Sequence, residues 1–289
     1  MLVDLLAGTV YPSPPMARPV PTILVFDSGL GGLTVFAEVL KARPDARFVY
    51  SADDAAFPYG RLDETTLVAR VVAVMERLIA LHAPDLVVIA CNTASTLVLP
   101  HLRARFAIPF VGTVPAIKPA AEASLSRRIS VLATPGTVAR DYTQDLIRAY
   151  AGGCRVTLVG SRRLAGFAEA EMAGEPVPDA EIVAEIAPCF VDDDGARTDA
   201  VVLGCTHYPL LTARFEALGP WPVRWIDPAP AVARRVLALL GEPVPGHEDD
   251  CDDAVAVFTD GTGLGAQLRE ALWRRGLRAF AREPMALGA

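Results

Sequence analysis

The chain has 289 residues, of which 52% are hydrophobic and 21% are charged, and its formal net charge is −7 at pH 7. This composition excludes an intrinsically disordered or fibrous chain. The acidic balance predicts no basic surface of the kind that binds nucleic acid. A chain of this length can bury sizeable hydrophobic cores, and length alone favours about two domains.

Residues 1–20 are expected to form a flexible N-terminal extension. They begin with an apolar run, but Asp4 lies inside it and prolines end it, which is not typical of a secretory signal. No stretch long enough to span a membrane is free of charges and prolines. Five widely spaced cysteines with no CxxC motif indicate reduced thiols in the cytoplasm, with neither a disulfide framework nor a metal site.

From residue 22 onwards, short apolar runs alternate with longer helical stretches. Strands are predicted at 23–26, 48–51, 85–90, 110–112, 128–133, 155–160, 199–204, 223–226 and 254–258. Helices are predicted at 33–41, 63–82, 96–106 (interrupted near Pro100), 138–151, 162–173, 179–190, 210–218, 229–240 and 264–275. Apolar strands without alternation, joined by helices, are typical of parallel sheets covered on both faces.

Two successive strand–helix series predict two doubly wound α/β domains. The first series ends near residues 112–115, and the chain is expected to return to the first domain near residues 227–228. We therefore predict a first domain of residues 21–114 plus 227–289 and a second domain of residues 115–226.

Two segments of the chain are weakly similar, LVVIACNT at 86–93 and AVVLGCTH at 200–207. Each segment is a buried strand, a small residue, a cysteine, and then polar residues that open a helix. Ligands of open α/β sheets bind at the carboxyl ends of strands, and a helix N-terminus favours thiolate over thiol. Cys91 and Cys205 are therefore candidates to flank one ligand.

Two thiols on opposite faces of a carbon atom suit a racemase, which removes a proton from one face and returns one to the other. One sulfur must then be thiolate while its partner is thiol. A free thiol has a pKa of about 8.5, so only a few per cent is thiolate at neutral pH and each sulfur needs a helper. His207 can serve Cys205, and Asp27, at the end of the first strand, can serve Cys91.

Four segments resemble the glutamate racemases of the aspartate/glutamate racemase superfamily in order and spacing. They are FDSGLGG at 26–32, PYG at 58–60, ACNTAS at 90–95 and GCTHYPLL at 204–211. The resemblance implies cofactor-independent, two-base racemisation of glutamate, which supplies D-glutamate for peptidoglycan. It also implies two flavodoxin-like α/β domains with the site between them and a small-molecule substrate, and it leaves a homodimer open.

By position, the resemblance implies that Cys91 deprotonates D-glutamate and that Cys205 deprotonates L-glutamate. Asp27 and His207 match the acid–base helpers, and Glu169, in LAGFAE, matches a further helper carboxylate. The implied substrate-binding set is Asp27, Ser28, Tyr59, Gly60, Asn92, Thr93, Thr206 and His207.

Other interpretations of these residues stay open. An aspartate racemase or another amino-acid racemase would share both cysteines, and a relative that only binds partners would be expected to have lost a cysteine or a helper. Zinc needs three or four ligands, and no second Cys/His pair accompanies Cys205 and His207. The glycines at 29–32 lack nucleotide-loop spacing and suit a turn whose backbone approaches a small anion.

Overall fold

The computed structural model describes residues 20–243 and 254–285. The N-terminal extension expected for residues 1–20 therefore lies, except for its last residue, outside the described residues. Within the described part of the chain, no helix is long and apolar enough to cross a membrane.

The described chain alternates between strands and helices. The strands are β1 (Thr22–Asp27), β2 (Arg47–Ala52), β3 (Leu86–Ile89), β4 (Phe110–Gly112), β5 (Arg128–Ala133), β6 (Arg155–Gly160), β7 (Asp192–Asp193), β8 (Ala196–Arg197), β9 (Ala200–Gly204), β10 (Arg224–Ile226), β11 (Val255–Phe258) and β12 (Ala279–Arg282). The helices are α1 (Leu33–Ala42), α2 (Glu64–His82), α3 (Asn92–Arg105), α4 (Ile117–Ala123), α5 (Pro135–Ala139), α6 (Asp141–Tyr150), α7 (Leu164–Ala173), α8 (Asp179–Ile186), α9 (Thr212–Leu218), α10 (Ala229–Leu240) and α11 (Ala266–Trp273).

Two parallel sheets organise the molecule. Six strands pair in the order β12-β11-β2-β1-β3-β4, and four pair in the order β10-β9-β5-β6. We call residues 22–112 with 229–282 the first half and residues 117–226 the second half. The predicted doubly wound α/β architecture is confirmed, whereas the domain boundaries at 114/115 and 226/227 remain predictions.

The central strand β1 shows why the sequence forms covered sheets. Ile23 and Val25 point into a core shared with α1 and α10, whereas Leu24 and Phe26 point into a core shared with α2 and α3. All four side chains are fully buried, as expected when successive residues face opposite sides of a strand covered on both faces. Burial of each such side chain contributes about 1.5–3 kcal/mol.

The second half has the same layered construction. Leu132 on β5 packs with residues of α7, α8 and α9, whereas its neighbour Val131 packs with residues of α4. The carboxyl ends of β5 and β9 lie side by side, since Ala133 is in register with Gly204. Loops that follow these two strands are therefore brought to one edge.

The predicted interruption of a helix near Pro100 is wrong. Helix α3 runs without a break from Asn92 to Arg105, with Pro100 inside it. An interior proline costs about 3 kcal/mol, and the burial of Val98, Leu99 and Leu102 on this helix offsets that cost. The helix also begins directly after Cys91, four residues earlier than predicted, so the cysteine occupies its N-cap.

Other differences are local. The helix predicted at 138–151 is two helices, α5 and α6, separated by Arg140, whose backbone is extended. Helix α5 starts early because the Thr134 side chain accepts a hydrogen bond from the Thr137 N–H. Helix α4, the hairpin of β7 with β8, and the edge strand β12 were not predicted.

Candidate active site

The candidate site lies where the carboxyl ends of strands from both halves meet. Asp27 is the last residue of β1, and Cys91 follows the neighbouring strand β3. In the second half, Cys205 directly follows β9. Both cysteines are buried, with 5% of Cys91 and 7% of Cys205 exposed. Side chains of the two halves are in direct contact here, because the Thr206 hydroxyl donates to Asp27 Oδ1 over 3.4 Å.

The turn after β1 holds the Asp27 carboxylate in a fixed position. The N–H groups of Gly29 and Gly32 donate to Asp27 Oδ2 over 3.3 and 3.0 Å. Complete burial raises the pKa of Asp27, and the positive charge of His207 and these backbone bonds act in the opposite direction. Asp27 is thus a buried carboxyl group whose pKa is shifted by burial and by His207, as is typical of acid–base groups in active sites.

The glycines of this turn make room for the second half. A Cβ added to Gly31 would lie 2.6 Å from the backbone nitrogen of His207 and 2.7 Å from its Cγ. A Cβ added to Gly29 would meet Glu169 Oε1 and lie 3.2 Å from His207 Nε2. The close backbone approach that the sequence predicts here is therefore an approach to His207 and Glu169.

His207 connects Cys205 with Glu169. Its Nδ1 lies 3.8 Å from Cys205 Sγ, and its Nε2 lies 2.8 Å from Glu169 Oε1. Burial by itself disfavours the imidazolium, but the hydrogen bonds to Cys205 and Glu169 and their negative charges outweigh it and hold the pKa of His207 well above its usual value. A charged His207 stabilises a thiolate at Cys205.

Glu169 also joins the halves. The oxygen that contacts His207 accepts a hydrogen bond of 2.6 Å from the N–H of Leu30, in the turn after β1. The structure therefore brings Glu169 to the candidate site, where it contacts His207, the helper of Cys205, and the backbone of Leu30 in the first half. On its other side, Glu169 lines a cavity of about 380 Å³ together with Leu30 and Phe57.

Cys91 has a different environment. Its sulfur lies 3.7 Å from the Ser28 hydroxyl, whereas Asp27, the predicted helper, acts on it through its charge. Burial chiefly, and then the negative charge of Asp27, raise the pKa of Cys91, whereas the Ala94 N–H and Ser28 lower it. Negative charge on Cys205 also raises the pKa of Cys91. The two sulfurs are thus coupled, and ionisation of one favours the protonated form of the other.

Two predicted substrate-binding residues, Asn92 and Thr93, directly follow Cys91. Asn92 is 2% exposed, and neither atom of its amide group has a hydrogen-bond partner within the described residues. Buried amides are nearly always satisfied, so this one is available to a ligand. Thr93 Oγ1 lies 3.3 Å from Thr134 Oγ1 of the second half.

Tyr59 uses its side chain to bind a carboxylate of the first half. Its hydroxyl donates over 2.5 Å to Asp53, which is fully buried and also binds Arg70. The next residue, Gly60, faces Thr134 of the second half, since a Cβ added to it would lie 3.8 Å from Thr134 Cβ. The hydroxyl of Tyr59 is therefore committed to the first half.

Sequence reasoning missed Asp53 and Arg140 as neighbours of the site. Asp53 directly follows β2, whose carboxyl end lies beside that of β1, so its position in the sheet was a usable signal. Arg140 precedes α6 and reaches Thr93 across the halves, which no local pattern indicates. Among the described residues, no group of three or more histidines, cysteines and carboxylates could hold a metal ion.

The model of the Asp/Glu/Hydantoin racemase family matches residues 34–236. This chain belongs to that family. The chain is 54% identical over 250 residues to a glutamate racemase of Brucella canis, covering 86% of this chain and 90% of the relative. A glutamate racemase of Brucella anthropi is 58% identical over 233 residues, which are 80% of this chain and 83% of the relative.

A solved structure agrees with the family assignment. Escherichia coli glutamate racemase, in complex with L-glutamate and the activator UDP-MurNAc-Ala, superposes with a TM-score of 0.84 and 39% identity. The match covers 92% of this chain and 99% of that one. The fold predicted from the sequence, two flavodoxin-like α/β units, is confirmed, and the chain is an enzyme of the amino-acid racemase type.

Proposed function

We propose that this chain interconverts L- and D-glutamate without a cofactor, using Cys91 and Cys205 as the two bases. The observation that carries the proposal is the pair of buried cysteines at the strand ends of two facing sheets, with their charges coupled. Curated relatives with 54–58% identity are glutamate racemases, which supports glutamate as the substrate.

The reaction moves one proton in and one proton out. With L-glutamate, the Cys205 thiolate takes the Cα proton and becomes a thiol, and the bonding electron pair stays on Cα. The Cys91 thiol then gives its proton to the opposite face of Cα, which yields D-glutamate and leaves Cys91 as thiolate. D-glutamate reacts by the same steps in reverse order.

The helpers divide between the two sulfurs. His207, kept charged by Glu169, favours the Cys205 thiolate before the first step. Asp27 carries its charge close to Cys91, and Ser28 contacts the Cys91 sulfur directly. A carboxyl group whose pKa burial raises can take a proton as Cys91 loses one, so Asp27 suits acid–base exchange on that side.

Substrate recognition is assigned to the polar groups around the sulfurs. The unpartnered amide of Asn92, the hydroxyls of Ser28, Thr93 and Thr206, and the backbone of Tyr59 and Gly60 can bind two carboxylates. Asp27 can bind the substrate ammonium. We propose the same set that the sequence predicts, with Tyr59 acting through its main chain.

We further propose a cytoplasmic enzyme that supplies D-glutamate for peptidoglycan and needs no metal, nucleic-acid or membrane partner. A homodimer stays a prediction that size measurement in solution can test.

The deciding experiment is circular dichroism of L-glutamate incubated in D2O with purified protein and no added cofactor. We expect the optical signal to decay to zero, with deuterium appearing at Cα. Cys91→Ala and Cys205→Ala should each abolish racemisation, and Cys154→Ala, on a partly exposed thiol, is the matched control. Inversion without deuterium uptake, or activity that survives both alanine variants, contradicts the two-thiol mechanism.

The same assay with aspartate decides the substrate. We expect glutamate to react faster. Faster turnover of aspartate would assign the chain to the other principal substrate of its family, and the roles of the cysteines would stand.

A further inference from the structure

The two sulfurs have unequal electrostatic surroundings. Cys205 has the charged His207 in contact, whereas the largest effect of a charge on Cys91 comes from the negative Asp27. Titratable groups whose charges interact with Cys91 include Asp27, Cys205, Tyr50, Tyr59 and Arg140. Both tyrosines are buried and their pKa values are raised well above the usual value, so they are neutral. Arg140 is the cation in this set.

Arg140 lies across the boundary between the halves. It belongs to the short link between α5 and α6, and its Nη1 donates over 2.8 Å to the carbonyl of Thr93 in the first turn of α3. The same nitrogen contacts the Thr96 hydroxyl. Its Nε lies 4.0 Å from Glu64 at the start of α2, and 15% of its side chain is exposed.

We propose that Arg140 is a positioning residue that holds the first turn of α3 against the second half and keeps a positive charge beside Cys91. Cys91 is the N-cap of α3, and Thr93 is two residues further on, so a guanidinium fixed on the Thr93 carbonyl is fixed relative to the sulfur. The adjacent contact of Thr93 with Thr134 closes the same side of the site. The inference rests on the proposed two-thiol mechanism.

Arg140 stays positively charged at its position in the structure. Burial lowers the pKa of Arg140, whereas the negative charges of Glu64 and of Cys91 raise it, and an arginine remains protonated at every working pH. Glu64 is mostly exposed and 4.0 Å away, so it neutralises this charge only in part. Arg140 therefore places a positive charge within electrostatic reach of Cys91, whereas His207 contacts the Cys205 sulfur directly.

A kinetic signature separates this role from a merely structural one. L- and D-glutamate have equal free energies in water, so kcat/KM must be equal in both directions for any variant. The form that binds D-glutamate carries the Cys91 thiolate, and the form that binds L-glutamate carries the Cys205 thiolate. Loss of a cation beside Cys91 depletes the first form alone, so the KM for D-glutamate rises relative to the KM for L-glutamate.

The test is Arg140→Gln, with both KM values measured by circular dichroism. One pKa unit at Cys91 corresponds to a rise of about tenfold in the ratio of KM for D-glutamate to KM for L-glutamate. Arg140→Lys keeps the charge and should keep the ratio while lowering kcat/KM. Arg148→Gln, at an exposed i,i+3 ion pair on α6, is the control and should change neither.

An unchanged ratio in Arg140→Gln, with kcat/KM lowered equally in both directions, overturns the inference. So does an equal change of the ratio in Arg140→Lys. Thermal unfolding of each variant identifies a loss of fold, and Arg140→Met is a second uncharged variant that keeps the test decisive if Arg140→Gln does not fold. Because the alanine variants of the cysteines test the two-thiol mechanism separately, a negative result here leaves that mechanism standing.

Discussion

Gly31→Ala places one methyl group where the second half approaches the turn after β1. The new Cβ would lie 2.6 Å from the His207 backbone nitrogen, whereas ordinary contact begins at 3.4 Å. Because that neighbour is backbone, the segment carrying Cys205 and His207 must retreat by about 0.8 Å. A misplacement of about 1 Å in an active site can cost about 10²-fold in rate, so we expect kcat/KM to fall by about that factor. Overpacking should also destabilise the fold by about 1–3 kcal/mol.

The assay is racemisation of glutamate followed by circular dichroism, with thermal unfolding measured in parallel. Gly166→Ala is the matched control, because a Cβ at this position on α7 meets no atom within 4 Å. That variant should keep its activity and gain about 0.5–1 kcal/mol in stability from the helix propensity of alanine. A Gly31→Ala enzyme as active as its parent would refute the conclusion that this turn seats His207.

Three further predictions concern charge. Glu169→Gln removes a negative charge that raises the pKa of His207, so the imidazolium is lost at lower pH. The alkaline limb of the pH profile of kcat should then move toward neutral pH. A limb that does not move contradicts this role of Glu169. Because the raised pKa of Cys91 keeps its thiol protonated, kcat/KM for D-glutamate should increase with pH through the neutral range, and a flat profile argues against a thiolate base. Arg70→Met leaves the Asp53 carboxylate buried without its ion pair, and the free energy of unfolding measured in urea should fall by about 3–5 kcal/mol. Arg77→Met, at an exposed ion pair, is the control and should lower it by about 0–1 kcal/mol. Equal losses in the two variants would show that burial does not decide the difference.

The sequence predicts most of the fold because parallel strands buried on both faces are continuous apolar runs. Helix α4 escapes that reasoning because it is only seven residues long and contains Pro119. Strand β12 escapes it because it lies at an edge of the sheet and is partly exposed. The continuity of α3 through Pro100 depends on tertiary packing, which local propensity does not contain.

The candidate site divides in the same way. Cys91, Cys205 and Asp27 can be found from the sequence because each ends or follows a strand, and parallel strands end at one edge. The contact of Glu169 with Leu30 and that of Arg140 with Thr93 join segments more than forty residues apart. Such contacts depend on how the halves approach one another. The sequence motifs describe each half separately.

The double contact of Glu169 has a consequence for substrate entry. Its bond to the Leu30 N–H crosses between the halves, whereas Glu169 and His207 both belong to the second half. A separation of the halves that lets glutamate in or out would therefore break the bond to Leu30 and leave the contact between carboxylate and imidazole in place. The histidine, its carboxylate and the neighbouring Cys205 would move together as one body, and the turn after β1 is the part of the site that such a motion would detach.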